Sequence, residues 1–209
     1  MEATMALKLI HFPMTRSLRV AWAIFELDLD AEIETRPFDR AKLKEPDYLA
    51  LNPLGKTPVF FDYGKRMIES VAIIEYLANK YAGGALSRNA SQEEYGDYLQ
   101  WMQFGEAGMG GYVNQLLGHS FLLPEEHRIT SMLQWATGEM QNCLAFLENS
   151  LDDRDYLLED FSLADISVGY VLFLLKVSRN GKFMGERVSA YFDRLRAREA
   201  WTRASALQP

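Results

Sequence analysis

Apolar and polar positions alternate with two different rhythms along the first eighty residues. Residues 7–12, LKLIHF, form a short apolar run that reads as a strand. Leu18, Ala21, Trp22, Phe25 and Leu29 then fall on one helical face, at positions i, i+3, i+4, i+7 and i+11. Residues 31–37 alternate enough for a second strand, and residues 46–51 read as a short helical turn. A strand over 59–62 leads through the turn signal Tyr63-Gly64-Lys65 into a strand over 66–68. From Ser70 onward, Val71, Ile74, Leu77, Ala78 and Tyr81 return to helical spacing. This order predicts a mixed α/β domain, a four-stranded sheet with helices on its faces. Strands one and two, joined through a helix, should run parallel, and the hairpin antiparallel.

Beyond a linker at 82–90, with GGALSRNA at its centre, the rhythm is helical throughout. The pattern divides the chain into a domain over 1–81, the linker, and an all-α domain over 91–209. Residues 91 to about 118 and about 124 to 150 read as two long helical stretches. Gly105, Gly108, Gly110 and Gly111 weaken the first, and should mark a bend or a close approach. Ser162-Leu163-Ala164-Asp165 is a capping-box variant with Asp at the fourth position, and Phe161 and Ile166 stand where a hydrophobic staple would. The helix that follows, ADISVGYVLFLL, is apolar nearly all round, so it should run through the centre of its domain. Val188, Tyr191, Phe192 and Leu195 mark one more amphipathic helix.

Charge and composition exclude several classes of function. A net charge of −7 with no basic stripe argues against a nucleic-acid partner. No apolar run approaches the length needed to span a bilayer, and MEATMALKLIHF lacks the basic start and long apolar region of a secretory signal. The single cysteine, Cys143, lies on an apolar helix face and is expected in the core; its solitude fits a reducing, cytoplasmic compartment. His119 and His127 have no partner spacing for a metal, so none is expected.

Candidate chemistry concentrates between Asn52 and Tyr81. Pro58 cannot donate a ladder hydrogen bond, so a proline opening a strand points to a turn with a cis bond. Glu69 and Ser70 sit where a helix begins, beside unpaired N–H groups and the positive end of the dipole. That corner suits a ligand carboxylate, with Glu69 available for an ammonium group. Amine, carboxylate and a strand-like backbone together describe a small peptide. The bland alternative for Glu69-Ser70 is a simple helix cap.

NPLGKTPVF followed by ESVAIIEYLA resembles the glutathione-binding part of the cytosolic glutathione transferases, and FSLADISVGYVLF resembles the capping motif of their helical second domain. The resemblance spans essentially the whole chain. It implies a thioredoxin-like N-terminal domain, an all-helical C-terminal domain, a homodimer, and glutathione as co-substrate. On that basis Lys56, Thr57 and Pro58 belong to the glutathione site, with the Thr57 backbone pairing with the cysteinyl part. Glu69 and Ser70 would hold the γ-glutamyl amine and carboxylate. The acceptor, a small apolar electrophile, would lie against the second domain near its first long helix. Met14, Trp101, Phe104, Met109 and Tyr112 are the candidate contacts there, although aromatic and methionine stripes are most often core.

Thiol activation, in the same resemblance, falls to the turn His11-Phe12-Pro13-Met14-Thr15-Arg16-Ser17-Leu18-Arg19. Aligned on Ser17-Leu18-Arg19, the isomerase-type branch keeps its activating serine where this chain has Met14, and the bacterial branch's cysteine falls on Arg16. Thr15 and Ser17 are the side-chain hydroxyls left in the turn; Thr15 stands nearer the sheet edge, and Ser17 is the runner-up. Either can instead be a helix N-cap. Arg16 can stabilise a thiolate by charge alone. His11, on a strand, fits a packed or surface histidine better than a base. Met14 in place of the serine keeps open a non-catalytic glutathione-binding or regulatory protein, and Ser17-Leu18-Arg19 favours a third reading, a glutathione-dependent isomerase, which the same Met14 weakens.

Overall fold

The computed structural model describes residues 7–209. The described residues form two compact units, one running up to Ser87 and including Arg198–Pro209, the other Arg88–Ala197.

The first unit is built on a four-stranded sheet of order β2-β1-β3-β4. Its strands are β1 (Leu7–His11), β2 (Glu32–Thr35), β3 (Val59–Asp62) and β4 (Lys65–Met67). β1 runs parallel to β2 and antiparallel to β3, and β3 pairs antiparallel with β4, as connection lengths require. Helices α1 (Ser17–Glu26), α2 (Pro46–Leu51) and α3 (Ser70–Tyr81) interleave with these strands in the predicted order. Leu9, Phe60, Ile73, Ile74 and Leu77, from β1, β3 and α3, are fully buried in the core of this unit. The same four strands expected from the pattern are present, each within two residues of the predicted bounds.

The second unit is all helix: α4 (Tyr95–Gln103), α5 (Gly110–Leu117), α6 (Thr130–Leu151), α7 (Leu163–Val177) and α8 (Glu186–Arg196). The predicted first long helix is broken by a π turn over Phe104–Gly108, which hands α4 on to α5. The cause is visible at Gly105: an added Cβ would lie 2.4 Å from Ser167 Oγ and 2.6 Å from the Ser167 backbone carbon. Ser167 Oγ in turn donates to the Met102 carbonyl at 2.8 Å, so the side chain of α7 meets the backbone of α4 directly. α7 is buried along nearly its whole length, and its capping box forms as predicted. Asp165 accepts from the Ser162 N–H at 2.8 Å, the Leu157 N–H at 3.0 Å and the Tyr191 hydroxyl at 2.9 Å. Burial pushes Asp165 up to about 6, against these hydrogen bonds that favour its ionised form. Cys143, expected in the core, is only half-buried.

Helix α9 (Glu199–Ser205) has no counterpart in the sequence reading, which placed residues 198–209 with the helical domain. It packs on α1 in the first unit. Arg198 Nε and Nη2 donate to the two oxygens of Glu26 at 2.6 and 2.8 Å, and Trp201 meets Trp22 edge-on at 4.9 Å between centroids. α1 is therefore packed against β1, α3 and α9 together, and its residues 17–24 are all buried.

Candidate active site

The turn from β1 into α1 gathers three polar side chains around the Phe12 peptide. Met14 takes a left-handed φ of 61° and folds the chain back. The Thr15 N–H then reaches the Phe12 carbonyl at 3.2 Å, and the Leu18 N–H reaches the Thr15 carbonyl at 2.9 Å. Thr15 Oγ1 lies 2.9 Å from the Phe12 carbonyl, to which it can donate, and 3.0 Å from Ser17 Oγ. Ser17 Oγ accepts the Phe12 N–H at 2.9 Å, stands 3.0 Å from the Phe12 carbonyl, and is 2.9 Å from Nδ1 of His11. Ser17 is fully buried, Thr15 and Arg16 are half-buried, and Met14 projects into solvent with 60% of its surface exposed. His11 is buried as well; desolvation lowers its pKa to about 4, with the Ser17 contact opposing, so the ring is neutral at physiological pH.

The second corner is the loop 52–58. Asn52 organises it: its Oδ1 accepts the Leu54 N–H at 3.0 Å, and its Nδ2 donates to the Lys56 carbonyl at 2.7 Å. The Tyr48 hydroxyl donates to the same carbonyl at 2.7 Å. Gly55 takes a φ of 57°, and a Cβ there would sit 2.5 Å from the Leu43 carbonyl, so only glycine lets the loop close. The Lys56 side chain is left exposed, Thr57 is half-buried, and the Thr57–Pro58 peptide is cis.

At the third corner, Glu69 takes φ 72° at the N-cap of α3, an uncommon conformation for a non-glycine residue. Its exposed side chain makes no capping hydrogen bond, so its position is not explained by a cap. Ser70 behind it is buried, and its Oγ accepts from Nη1 of Arg19 at 2.7 Å. Arg19 is fully buried and ties α1 to the start of α3. Sequence reasoning passed over Arg19 as a site component. Its one signal was its place beside Leu18 on an apolar helix, and its burial follows from packing around α1 that the pattern does not display.

The five residues named for the acceptor fall into different surroundings. In the helical unit Trp101 is buried and stacks on Phe146 at 5.3 Å and 26°, with Phe104 edge-on to both. Met109 is fully buried. Tyr112 is half-buried, edge-on to Trp135 at 5.4 Å. An open groove of about 740 Å³ in that unit includes Trp101 but is otherwise lined by Asp97, Gln100, Phe146 and the 149–154 segment, not by Phe104, Met109 or Tyr112. Met14 belongs to the first unit. Among the described residues no cluster of His, Cys, Asp and Glu is placed to hold a metal, and no helix is long and apolar enough to cross a membrane.

A thioredoxin-like unit and an all-helical unit, with a cis-proline loop and a strained residue at a helix N-terminus in the first, define a class with close counterparts. Residues 5–79 match the family profile of the glutathione S-transferase N-terminal domain. "Glutathione S-transferase 1" of Schizosaccharomyces pombe is 33% identical over 171 residues, covering 79% of this chain and 74% of that one. "Glutathione S-transferase F10" of Arabidopsis thaliana is 26% identical over 208 residues, 94% of this chain and 95% of that one. The glutathione transferase URE2P6 of Phanerochaete chrysosporium, solved with oxidised glutathione, superposes with a TM-score of 0.80 at 26% identity, over 98% of this chain and 96% of that one. The protein belongs to the glutathione S-transferase family.

Proposed function

We propose that the protein binds glutathione on its thioredoxin-like unit, activates the thiol and transfers the sulfur to a small apolar electrophile. The observation that carries this reading is the half-buried Thr15, whose hydroxyl lies just before α1, on the same unit as the Thr57–Pro58 step and the Glu69-Ser70 corner. Glutathione enters as co-substrate. The Thr57 backbone pairs with its cysteinyl part, Glu69 holds the γ-glutamyl ammonium and Ser70 its carboxylate, and the exposed Lys56 offers a positive charge to the glycyl carboxylate.

Thr15 is preferred to Ser17 as thiol-activating group because Ser17 is fully buried with its oxygen ringed by Phe12, Thr15 and His11. A cysteine thiol of pKa roughly 8.5 must be stabilised as the anion by about 2.7 kcal/mol to titrate two units lower. A hydroxyl donor to a charged acceptor contributes roughly 1.5–3 kcal/mol. The N-terminus of α1 adds on the order of 0.3–1 kcal/mol, and Arg16 favours the anion in the same sense. In the helical unit, Phe104 and Tyr112 are the acceptor candidates with open surface; Trp101 and Met109, being buried, act by supporting them. A homodimer in a reducing cytoplasm completes the proposal.

The deciding experiment is the ultraviolet thiolate absorbance of bound glutathione, titrated against pH in wild type and Thr15→Ala. A bound thiol pKa well below that of free glutathione, and raised by one to two units (about 10- to 100-fold less thiolate) in Thr15→Ala, supports the transferase. Saturable binding with an unshifted thiol pKa would replace it by a second reading, a non-catalytic glutathione-binding protein. That reading draws on the exposed Met14 in place of an activating serine.

A further inference from the structure

We propose that Arg19 is a positioning residue that gives the Ser70 corner its preference for a carboxylate, by turning the Ser70 proton toward the ligand and placing positive charge behind it. The inference deepens the proposed seating of the γ-glutamyl group and rests on it.

The direction of the contact is fixed by chemistry. A guanidinium carries donors and no acceptor, so at 2.7 Å Nη1 of Arg19 donates and the Ser70 oxygen accepts. That bond fills one lone pair of Ser70 Oγ and turns the hydroxyl proton away from Arg19. Among the described residues the Ser70 side chain makes no other hydrogen bond, and only 3% of the residue is exposed. A buried hydroxyl whose proton is uncommitted is matched by an incoming acceptor. A donor that is itself ionised also polarises the hydroxyl it bonds, so Ser70 donates more strongly for having Arg19 behind it.

The surroundings select the same kind of acceptor. Ser70 is the first residue of α3, where N–H groups lack intrahelical acceptors; the helix's own bonding begins with the Ile73 N–H on the Glu69 carbonyl at 2.9 Å. The Glu69 side chain makes no capping hydrogen bond, so it does not compete for those N–H groups. Helix end, hydroxyl proton and guanidinium charge therefore all favour an anion over a neutral group. Arg19 is fully buried on α1, whose residues 17–24 are all buried. Its guanidinium is thus held by packing before the ligand arrives, and no ordering of this side chain is charged against binding.

The test compares glutathione with its analogue in which a γ-aminobutyryl group replaces the γ-glutamyl residue. That peptide keeps the ammonium, the thiol and the glycyl carboxylate, and lacks only the carboxylate in question. Calorimetry on the unmutated protein should show glutathione bound about 10- to 100-fold more tightly than the analogue. In Arg19→Met that preference should shrink by about tenfold, with affinity for the analogue unchanged. Arg19→Lys, which keeps a charged donor, should retain more of the preference than Arg19→Met. An undiminished preference in Arg19→Met overturns the role of Arg19, and so does an equal loss of affinity for both peptides, the result a merely structural arginine would give. Should Arg19→Met fail to fold, the unmutated protein still decides. Nitrogen-15 NMR of arginine-labelled protein, with the Arg19 signal identified through Arg19→Lys, should show that signal shifting with glutathione and not with the analogue; equal shifts overturn the proposal. Equal affinity of the unmutated protein for the two peptides is a separate failure: the carboxylate is then not seated at Ser70, and the proposed seating of glutathione falls together with the role of Arg19.

Discussion

Individual side chains decide more of this site than their number suggests. Ser70 is the plainest case. Its hydroxyl is fixed by Arg19 at 2.7 Å and stands at the N-terminus of α3, where a ligand carboxylate would meet both the hydroxyl and the helix end. A hydrogen bond to a charged group is worth roughly 1.5–3 kcal/mol, and about 1.4 kcal/mol is tenfold in affinity. Ser70→Ala should therefore weaken glutathione binding by about 10- to 100-fold in calorimetry, with the melting temperature less affected. Glu69 was legible in the sequence as a residue at a helix start. Its positive φ was not, because that conformation is imposed by the junction between β4 and α3 rather than by a preference of glutamate. The two hydroxyls of the turn between β1 and α1 were also legible as types. Which of them would be sealed off was not, since Ser17 is fully buried with its oxygen against the Phe12 N–H and His11 Nδ1 of the strand end, contacts that helical spacing does not record.

Among the elements, the contact of α4 with α7 is the most demanding. Gly105→Ala would place a methyl within 2.4–2.7 Å of Ser167, including backbone atoms that cannot rotate away. Overpacking of this kind costs typically about 1–3 kcal/mol. The variant should unfold at lower urea with an unchanged slope, whereas Gly111→Ala, with open space around its Cβ, should not lose stability. The start of α7 carries a second prediction. Asp165→Ala would strand the N–H groups of Leu157 and Ser162 and the Tyr191 hydroxyl, three buried donors, at about 1–3 kcal/mol each. That loss is large enough to prevent folding at 37 °C, and soluble yield and circular dichroism would show it. The capping box behind this was readable from four residues, because capping is local chemistry. The π turn was half readable: glycines announced an irregularity, but only Ser167 on another helix explains its form.

For the whole molecule, the acid limb of stability has an identifiable contributor. Asp62 on β3 is almost completely buried and accepts from Lys80 at 2.6 Å, from Tyr81 at 2.5 Å and from Tyr76. Burial raises its pKa, but these hydrogen bonds outweigh burial and hold it at about 2, below the ordinary value of 3.8. A carboxylate with a lowered folded-state pKa contributes stability above its unfolded pKa and loses it as pH falls through the folded one. The contribution should thus be complete above about pH 5 and fade between roughly pH 4 and 2. Comparing urea unfolding of wild type and Asp62→Asn at pH 7, 4 and 3 checks this: the gap between them should narrow with acid. A gap independent of pH would remove Asp62 from the account.

The sequence by itself determined the four strands, their order and direction, and most of the helices, because periodicity, capping and connection length act over a few residues. It also named the cis-proline step, the corner at Glu69 and Ser70, and the turn that carries Thr15 and Ser17. Tertiary structure alone decided the rest. It placed α9 on α1 through Trp201 and Arg198, a contact made by residues some 170 positions apart, which no local rhythm records. It buried Arg19 under Ser70 and set His11 against Ser17. Those pairings depend on which faces of distant segments meet, and a chain displays its faces only once it is packed.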